Sequence, residues 1–194
     1  QALAGEVVAF GHRDGGTDTL ILADGRRVAV AEVVLAAGAW TGKLSRLLGE
    51  PIPLETERGY HTQFTAPGVT MRHSLLRPAK AFMICPIAGG IRVGGTVELA
   101  GLEAPPNYRR ARVLAKRAKE MLPALQTAES SEWMGHRPAL PDTIPIISRS
   151  ARQSNVFYAT GHGHLGVTLA ATTARLIADL VTGVTPPVDI TPYR

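Results

Sequence analysis

Cysteine is almost missing from this sequence. Cys85 is the only one among 194 residues, so an internal disulfide framework is excluded. Its setting in "AFMICPI" reads as a buried strand position in a reducing compartment. Apolar runs of membrane-spanning length are also absent, and the start at Gln1 has the look of neither a secretory signal nor a transit peptide. The six histidines follow no HExxH or Cys/His ligand spacing, so no metal site is expected. Spacing arranges no Ser-His-Asp set either, and there is no internal repeat or low-complexity tract. What is present is a globular composition, 45% hydrophobic and 19% charged, in a chain long enough for one sizeable core or two small ones.

The formal net charge of +5 raises the question of nucleic acid. Arg109, Arg110, Arg112, Lys116, Arg117 and Lys119 crowd one segment, with Val113, Leu114, Ala118, Met121 and Leu122 as its apolar side and Asn107 as a candidate N-cap. This is an amphipathic surface helix whose basic side is a solvated face, with an anionic membrane surface as a second use. No aromatic residues interleave with the cations to stack bases, and no nucleic-acid module is recognised, so nucleic acid is not expected as a partner.

Along the chain, "EVVAFGHR", "TDTLILA" and "RRVAV" read as antiparallel strands joined at Asp14-Gly15-Gly16 and Asp24-Gly25. The apolar run Val33–Ala37 reads as a buried strand, broken by Gly38. A short helix follows, with Thr41 near its start and Leu44, Leu47 and Leu48 facing inward, and Gly49 and Pro51 stop it. From there "GYHTQFTA", "AFMICPI" and "IRVGGTV" read as an antiparallel sheet, two of its strands joined at Ala88-Gly89-Gly90.

The end of the chain returns to a strand, Asn155–Thr160, then glycines, then a helix. Leu169, Thr173, Leu176, Ile177 and Leu180 fall at helical spacing, and Gly183 occupies the C′ position. Gly161, Gly163 and Gly166 spell G-x-G-x-x-G. A dinucleotide fingerprint, however, needs a second parallel strand after the helix that ends in an acid for the ribose. Here Val184-Thr185-Pro186-Pro187 follow, and Asp179 lies inside the helix. What survives is a glycine turn feeding a helix N-terminus, where backbone can approach a flat or anionic ligand, or simply a tight turn.

Three segments taken in order, "VVLAAGAWTGKL", "WMGHRPALPDTIPII" and "ATGHGHLGVTLAATTARLIADLVTG", resemble FAD-dependent oxidoreductases of the D-amino-acid oxidase superfamily, most of all bacterial D-amino-acid dehydrogenase-like members. Glycine oxidase, sarcosine oxidase and hydroxyproline dehydrogenase relatives share much of the pattern. The resemblance implies an α/β fold in which residues 1–49 and 147–194 are parts of an FAD-binding, glutathione-reductase-like domain and 50–146 form an antiparallel-sheet substrate domain. It also implies a pyrophosphate-binding N-terminal half that this sequence does not contain, so that half, or a complementary chain, is an expected partner.

The implied chemistry is oxidation of a D-amino acid, or a related amino or imino acid, through an imine to the keto acid, with FAD as hydride acceptor. An electron acceptor such as a quinone would follow, in a cytoplasmic setting with peripheral contact at the inner membrane left open. In the resemblance the turn Gly161, His162, Gly163, His164, Leu165, Gly166 with Val167 and Thr168 lies against the flavin ring. Ala36, Ala37 and Gly38 pass under the cofactor, Trp40 packs near it, and Val8 meets adenine; strand and helix packing are the plain alternatives. His162 and His164 either contact flavin or substrate, or bond a neighbouring carbonyl. Arg137 in "GHRPALPD" binds the substrate carboxylate through its planar fork, or else pairs with an acid such as Asp142. Tyr60 and His61 line the substrate side or pack the sheet. A non-catalytic fragment or binding subunit is the rival reading.

Overall fold

The computed structural model describes residues 2–193. The chain divides into two compact units, one running up to Thr56 and resuming from Arg137, the other Glu57–His136.

In the first unit, β1 (Val7–Arg13), β2 (Gly16–Leu22) and β3 (Arg27–Ala29) form an antiparallel sheet in that order. Asp14 and Gly15 turn the first hairpin with φ of 50° and 78°, the left-handed pair that suits tightly twisted strands. A second sheet has the order β10-β11-β4, from β4 (Val33–Leu35), β10 (Ile146–Arg149) and β11 (Val156–Thr160). Here β11 runs parallel to β4 and antiparallel to β10. Successive residues of β11 point to opposite faces, and both faces are apolar. Val156 and Tyr158 join Phe10, Val33, Leu35 and Leu48, whereas Phe157 joins Ile147, Leu176 and Ile177.

The helix α1 (Thr41–Leu47) is shorter than its apolar residues suggest. Leu48 is buried just past its end, but Leu47 is half exposed, contrary to its expected inward position. The long helix α3 (Gly166–Thr182) buries Thr173, Leu176 and Ile177 and ends as expected at Gly183, whose φ is 73° and whose neighbour Val184 donates its N–H to Asp179 O at 2.8 Å.

Two polar brackets hold this unit. Asn155 Oδ1 accepts from Thr17 N at 2.8 Å while its Nδ2 donates to the Thr17 and Ala31 carbonyls, each at 2.6 Å. Glu50 accepts from the Tyr158 and Ser150 hydroxyls and from Ala151 N. Burial, and then this carboxylate, push the Tyr158 phenol upward from its ordinary value.

The second unit is built on a five-stranded sheet of order β6-β7-β8-β5-β9. Its strands are β5 (Glu55–Phe64), β6 (Leu75–Arg77), β7 (Phe82–Ile87), β8 (Gly90–Leu99) and β9 (Ser130–Ala139). Cys85 lies on β7 as expected, though only half buried. The basic helix α2 (Arg109–Met121) lays Ala111, Leu114 and Ala118 against Tyr60, Phe64, Phe82, Ile84, Ile91 and Val93.

Arg109, Arg112, Lys116 and Lys119 are exposed, and Arg110 and Arg117 are partly so. Asn107 does not cap α2: the N-cap is Tyr108, without a side-chain bond, and Asn107 N instead donates to the Tyr60 hydroxyl at 2.9 Å. Arg58 is fully buried within this unit. Its guanidinium donates to the carbonyls of Gly101, Ala104 and Pro105 and lies 3.8 Å from Glu98. A hydrogen bond from Tyr60, with Arg110 and Arg58 nearby, holds the Glu98 carboxyl below the usual carboxylate range. Among the described residues no helix is long and apolar enough to cross a membrane.

Candidate active site

Strands β4 and β11 are parallel, so their carboxyl ends open on the same edge of the sheet, and each ends in a turn of small residues. After β4 come Ala36, Ala37 and Gly38, the last with φ 55°, and after β11 come Gly161 and Gly163 with φ of 81° and 53°. Thr160 Oγ1 donates to Gly38 O at 3.2 Å and ties the two turns together. The crevice outside such strand ends is where open α/β sheets bind ligands.

The turn at 161–166 is held from two sides. A Cβ at Gly161 would lie 2.4 Å from Leu140 Cδ1, so that glycine lets Leu140 seat against the turn. Gly163 N donates to Pro138 O at 2.8 Å. The segment that follows Arg137 is thereby clamped to the glycine turn. Arg137 itself is half buried near the end of β9. Asp142, the carboxylate proposed as its protein partner, accepts the Ile144 N–H at 3.0 Å.

Helix α3 then starts without a cap. Leu165 is its N-cap residue and makes no side-chain bond, and no acid lies in the first turn. Val167 is 95% exposed, and His164 and Thr168 are exposed beside it. The first N–H groups of a helix carry partial positive charge and have no intrahelical acceptor. His162 turns the other way: its Nε2 shares a hydrogen bond of 2.9 Å with Thr173 Oγ1, which locks the turn onto α3. A cavity of about 680 Å³ adjoins these residues, lined by Val34, Ala36, Ala159, His162, Gly166 and the alanine side of α3.

Burial depresses the pKa of His162; burial and Arg92 depress that of His61, and burial and Arg58 that of His136. A depressed histidine means that the unfolded chain binds more protons below about pH 6.5. The stability these groups contribute is complete above that value and is lost as pH falls through their folded pKa values. The thermal midpoint is therefore expected to drop between pH 7 and 5. His162→Gln should flatten part of that slope, and a midpoint that rises on acidification would contradict the assignment.

The remaining expected residues are placed as follows. Trp40 ends a short 3-10 turn after Gly38 and is about half exposed. Val8 is half exposed at an irregularity in the β1–β2 register. Tyr60 and His61 are neighbours on β5 and point to opposite faces. Of the two readings open for Tyr60, the geometry fits packing. It is 1% exposed, its hydroxyl is bonded to Glu98 and Asn107 N, and its ring meets Tyr108 edge-on. His61 lies on the face away from α2, stacked on Trp133.

Sequence reasoning missed Trp133, Leu140 and Asn155. The glycine at 135 was the available signal for the first, and the long-range bonds of Asn155 left none.

A mixed sheet with its crevice at the ends of parallel strands, and a glycine turn opening a helix there, defines a nucleotide-cofactor-binding α/β protein. The model of the FAD dependent oxidoreductase family matches residues 1–180, and the chain belongs to that family. It is similar to a D-amino-acid oxidase of Bradyrhizobium diazoefficiens, 38% identical over 86% of this chain and 40% of that protein. It is also similar to a glycine oxidase of Pseudomonas putida, 33% identical over 97% and 51% respectively. In fold it matches the crystal structure of iminodiacetate oxidase from Chelativorans sp. BNC1 with a TM-score of 0.83 and 23% identity, covering 97% of this chain and 52% of that one. The chain thus spans about half the length of the relatives it matches.

FAD is the family's cofactor, and the residues present fit its ring end. Left-handed glycines remove side chains from the turn, and the uncapped helix supplies N–H donors for an electron-rich edge. Among the described residues no parallel strand follows α3, so this turn is not the βαβ diphosphate motif.

Proposed function

We propose that this chain forms the flavin-ring and substrate-carboxylate part of an FAD-dependent oxidoreductase acting on a D-amino acid or a related amino or imino acid. The observation that carries the reading is the clamp from Gly163 N to Pro138 O. It fixes the segment bearing Arg137 to the turn assigned here to the cofactor side.

FAD, when bound, supplies the acceptor for the hydride from the substrate α-carbon. Arg137 holds the carboxylate with two parallel hydrogen bonds and so limits the orientation of the α-carbon. The N–H groups of Gly166, Val167 and Thr168 would offer donors to negative charge on the bound cofactor without a mobile cation. The α3 lock through His162 and Thr173 keeps those groups aimed. His164, exposed on the turn, and His61 are assigned to the substrate side, and Ala36, Ala37, Gly38 and Trp40 to the cofactor side. The product imine is then opened by water to the keto acid and ammonium.

The diphosphate and adenine require the remainder of the family's length, on the same polypeptide or a complementary chain. An electron acceptor such as a quinone completes the cycle, in a cytoplasmic setting that allows peripheral contact with the inner membrane. A second reading, oxidation of glycine or an N-substituted glycine, draws on the glycine oxidase and iminodiacetate oxidase among the similar proteins.

The test is anaerobic reduction of the complete, yellow protein by a panel of amino acids in both enantiomers. Bleaching by D-amino acids supports the first reading, and bleaching by glycine and sarcosine alone supports the second. A complete protein that carries FAD but is bleached by neither set overturns both. Expressed by itself, this chain is expected to hold far less than one FAD per polypeptide, because the charged diphosphate lacks its cradle; a stoichiometric flavin spectrum would refute that expectation.

A further inference from the structure

The net charge of this chain sits on one of its two units. Glu57–His136 carries eleven lysines and arginines against six acids, and the rest of the chain ten against ten, so the whole excess of +5 belongs to the second unit. Helix α2 orders part of it. Arg109, Arg112, Lys116 and Lys119 follow one another at steps of three, four and three residues, which gathers them on one side of a helix within an arc of about 80°. All four are exposed, along a stripe about 15 Å long. Arg112 leans to Glu132 at 3.4 Å. Like charges at this spacing repel and weaken a helix, a cost that α2 offsets by packing Ala111, Leu114 and Ala118 into the core.

An exposed apolar segment lies beside these cations. Residues 72–79 are exposed without a break, and they set Leu75 and Leu76, 37% and 66% exposed, between Arg72 and Arg77. β6 is the outermost strand of its sheet, so both leucines stand at an open edge. Leu75 lies opposite Ile84, whose side chain packs on the α2 side of the sheet. The turn after β6 is tied to α2: Lys80 Nζ reaches Glu120 at 3.0 Å, and Arg117 donates to Lys80 O at 2.9 Å. Lys80, and with it Lys116 and Arg77, holds the Glu120 carboxyl below the usual carboxylate range. The cations of the segment and of the helix thus surround one acid. Apolar side chains among cations suit a surface that is anionic at its face and apolar just beneath. Single-stranded nucleic acid supplies the anion but is held by stacking on aromatic rings, and α2 carries none.

We infer that α2 and the segment 72–79 dock this protein on an anionic lipid bilayer, with Arg77, Arg109 and Lys116 against the headgroups and Leu75 and Leu76 inserted beneath them. The docking does not depend on the reaction proposed above. Cations near an anionic leaflet each strengthen binding about fivefold, and long basic side chains reach the headgroups while their stems cover apolar surface. The leucines supply the second, salt-resistant part of the hold.

The experiment sediments the complete protein with phosphatidylcholine vesicles, with and without phosphatidylglycerol, at about 0.15 M salt. Wild type should bind only the vesicles that contain phosphatidylglycerol, and less as salt rises. Arg109→Gln with Lys116→Gln should lower the partition coefficient roughly 25-fold, at about fivefold for each cation. Leu75→Ser with Leu76→Ser should lower it about tenfold. Arg27→Gln with Arg46→Gln removes the same charge from exposed positions of the first unit and should leave binding unchanged. All four side chains of the patch variants are exposed, so melting temperatures should stay near wild type. Equal loss in the first-unit control would assign the binding to net charge alone and overturn the patch. Unchanged binding in the leucine pair, or a single-stranded RNA oligomer held as tightly as the vesicles, overturns the lipid assignment. A wild type that oxidises amino acids but stays in the supernatant overturns the docking surface and leaves the reaction standing.

Discussion

Arg137→Lys in the complete flavoprotein is expected to lower kcat/KM for carboxylate-bearing substrates roughly ten- to hundredfold, with flavin content nearly unchanged. Lysine keeps the charge but offers a point donor in place of a planar fork, so one of two parallel hydrogen bonds to the carboxylate is lost. A charge-assisted hydrogen bond is worth about 1.5–3 kcal/mol, which sets that range. The backbone around the site should not move. It is fixed by Gly163 N on Pro138 O and by Leu140 seated against Gly161, and neither depends on the side chain at 137. A poor substrate without a carboxylate never used the fork, so its turnover should change little. Equal loss for both substrates, or loss of the flavin absorbance, would show that Arg137 holds the fold.

The largest effect on stability is expected at Arg58. Arg58→Ala strips the donors from the carbonyls of Gly101, Ala104 and Pro105 and leaves the largely buried Glu98 carboxylate with the partly exposed Arg110, at 3.4 Å, as its remaining cation among the described residues. Breaking a buried pair from one side costs about 3–5 kcal/mol. For a unit of this size that lowers the melting temperature by roughly 15 °C or more. The surface pair of Arg112 and Glu132 is the control. Its guanidinium is 68% exposed, and Arg112→Ala should cost no more than about 1 kcal/mol. Calorimetry on the two variants decides the matter, and similar melting points would mean that the Arg58 network contributes little. The same network bears on Tyr60. A tyrosine whose hydroxyl bridges Glu98 and the Asn107 N–H shapes the second unit from inside.

Local chemistry was legible in the sequence wherever one turn or one period carried it. Asp14-Gly15 announced the first hairpin because only a left-handed pair closes it so tightly. The spacing of Leu169, Thr173, Leu176 and Ile177 announced α3, because a helix must bury one stripe. The resemblance carried by three segments in order led to the right family, and the Val184-Thr185-Pro186-Pro187 run after Gly183 kept the glycine turn from being taken for a diphosphate site.

What was not legible lies in contacts between distant residues. Asn107 has the right chemistry for a cap, but its N–H is engaged by Tyr60 and the helix begins one residue later. Leu47 fits an inward stripe on paper, but α1 is too short to bury it. Within the candidate site, Arg137 stood out from its neighbours, whereas Leu140 gave no sign that a glycine in a later segment makes room for it. Trp133 drew no reading of its own, and the glycine two residues on was the one hint that its ring folds back over Gly135.

The Asn155 bracket joins residues 138 positions apart, with the whole second unit threaded between them. During synthesis, then, β4 emerges long before the strand that completes its sheet. The inserted unit closes over nearer contacts and can fold while β4 still waits, since loop-closure entropy favours the shorter connection and non-local parallel pairing is slow. Until Asn155 arrives, Val33, Val34 and Leu35 present an unpaired apolar strand to whatever else is in solution, a hazard in any crowded cell. The glycine turn cannot take shape earlier than that, because it leaves the end of the strand β4 is waiting for. The capacity to grip a cofactor at this turn is therefore acquired only after the second unit has been made, and the yield of competent protein should depend on how quickly translation carries the chain past Asn155.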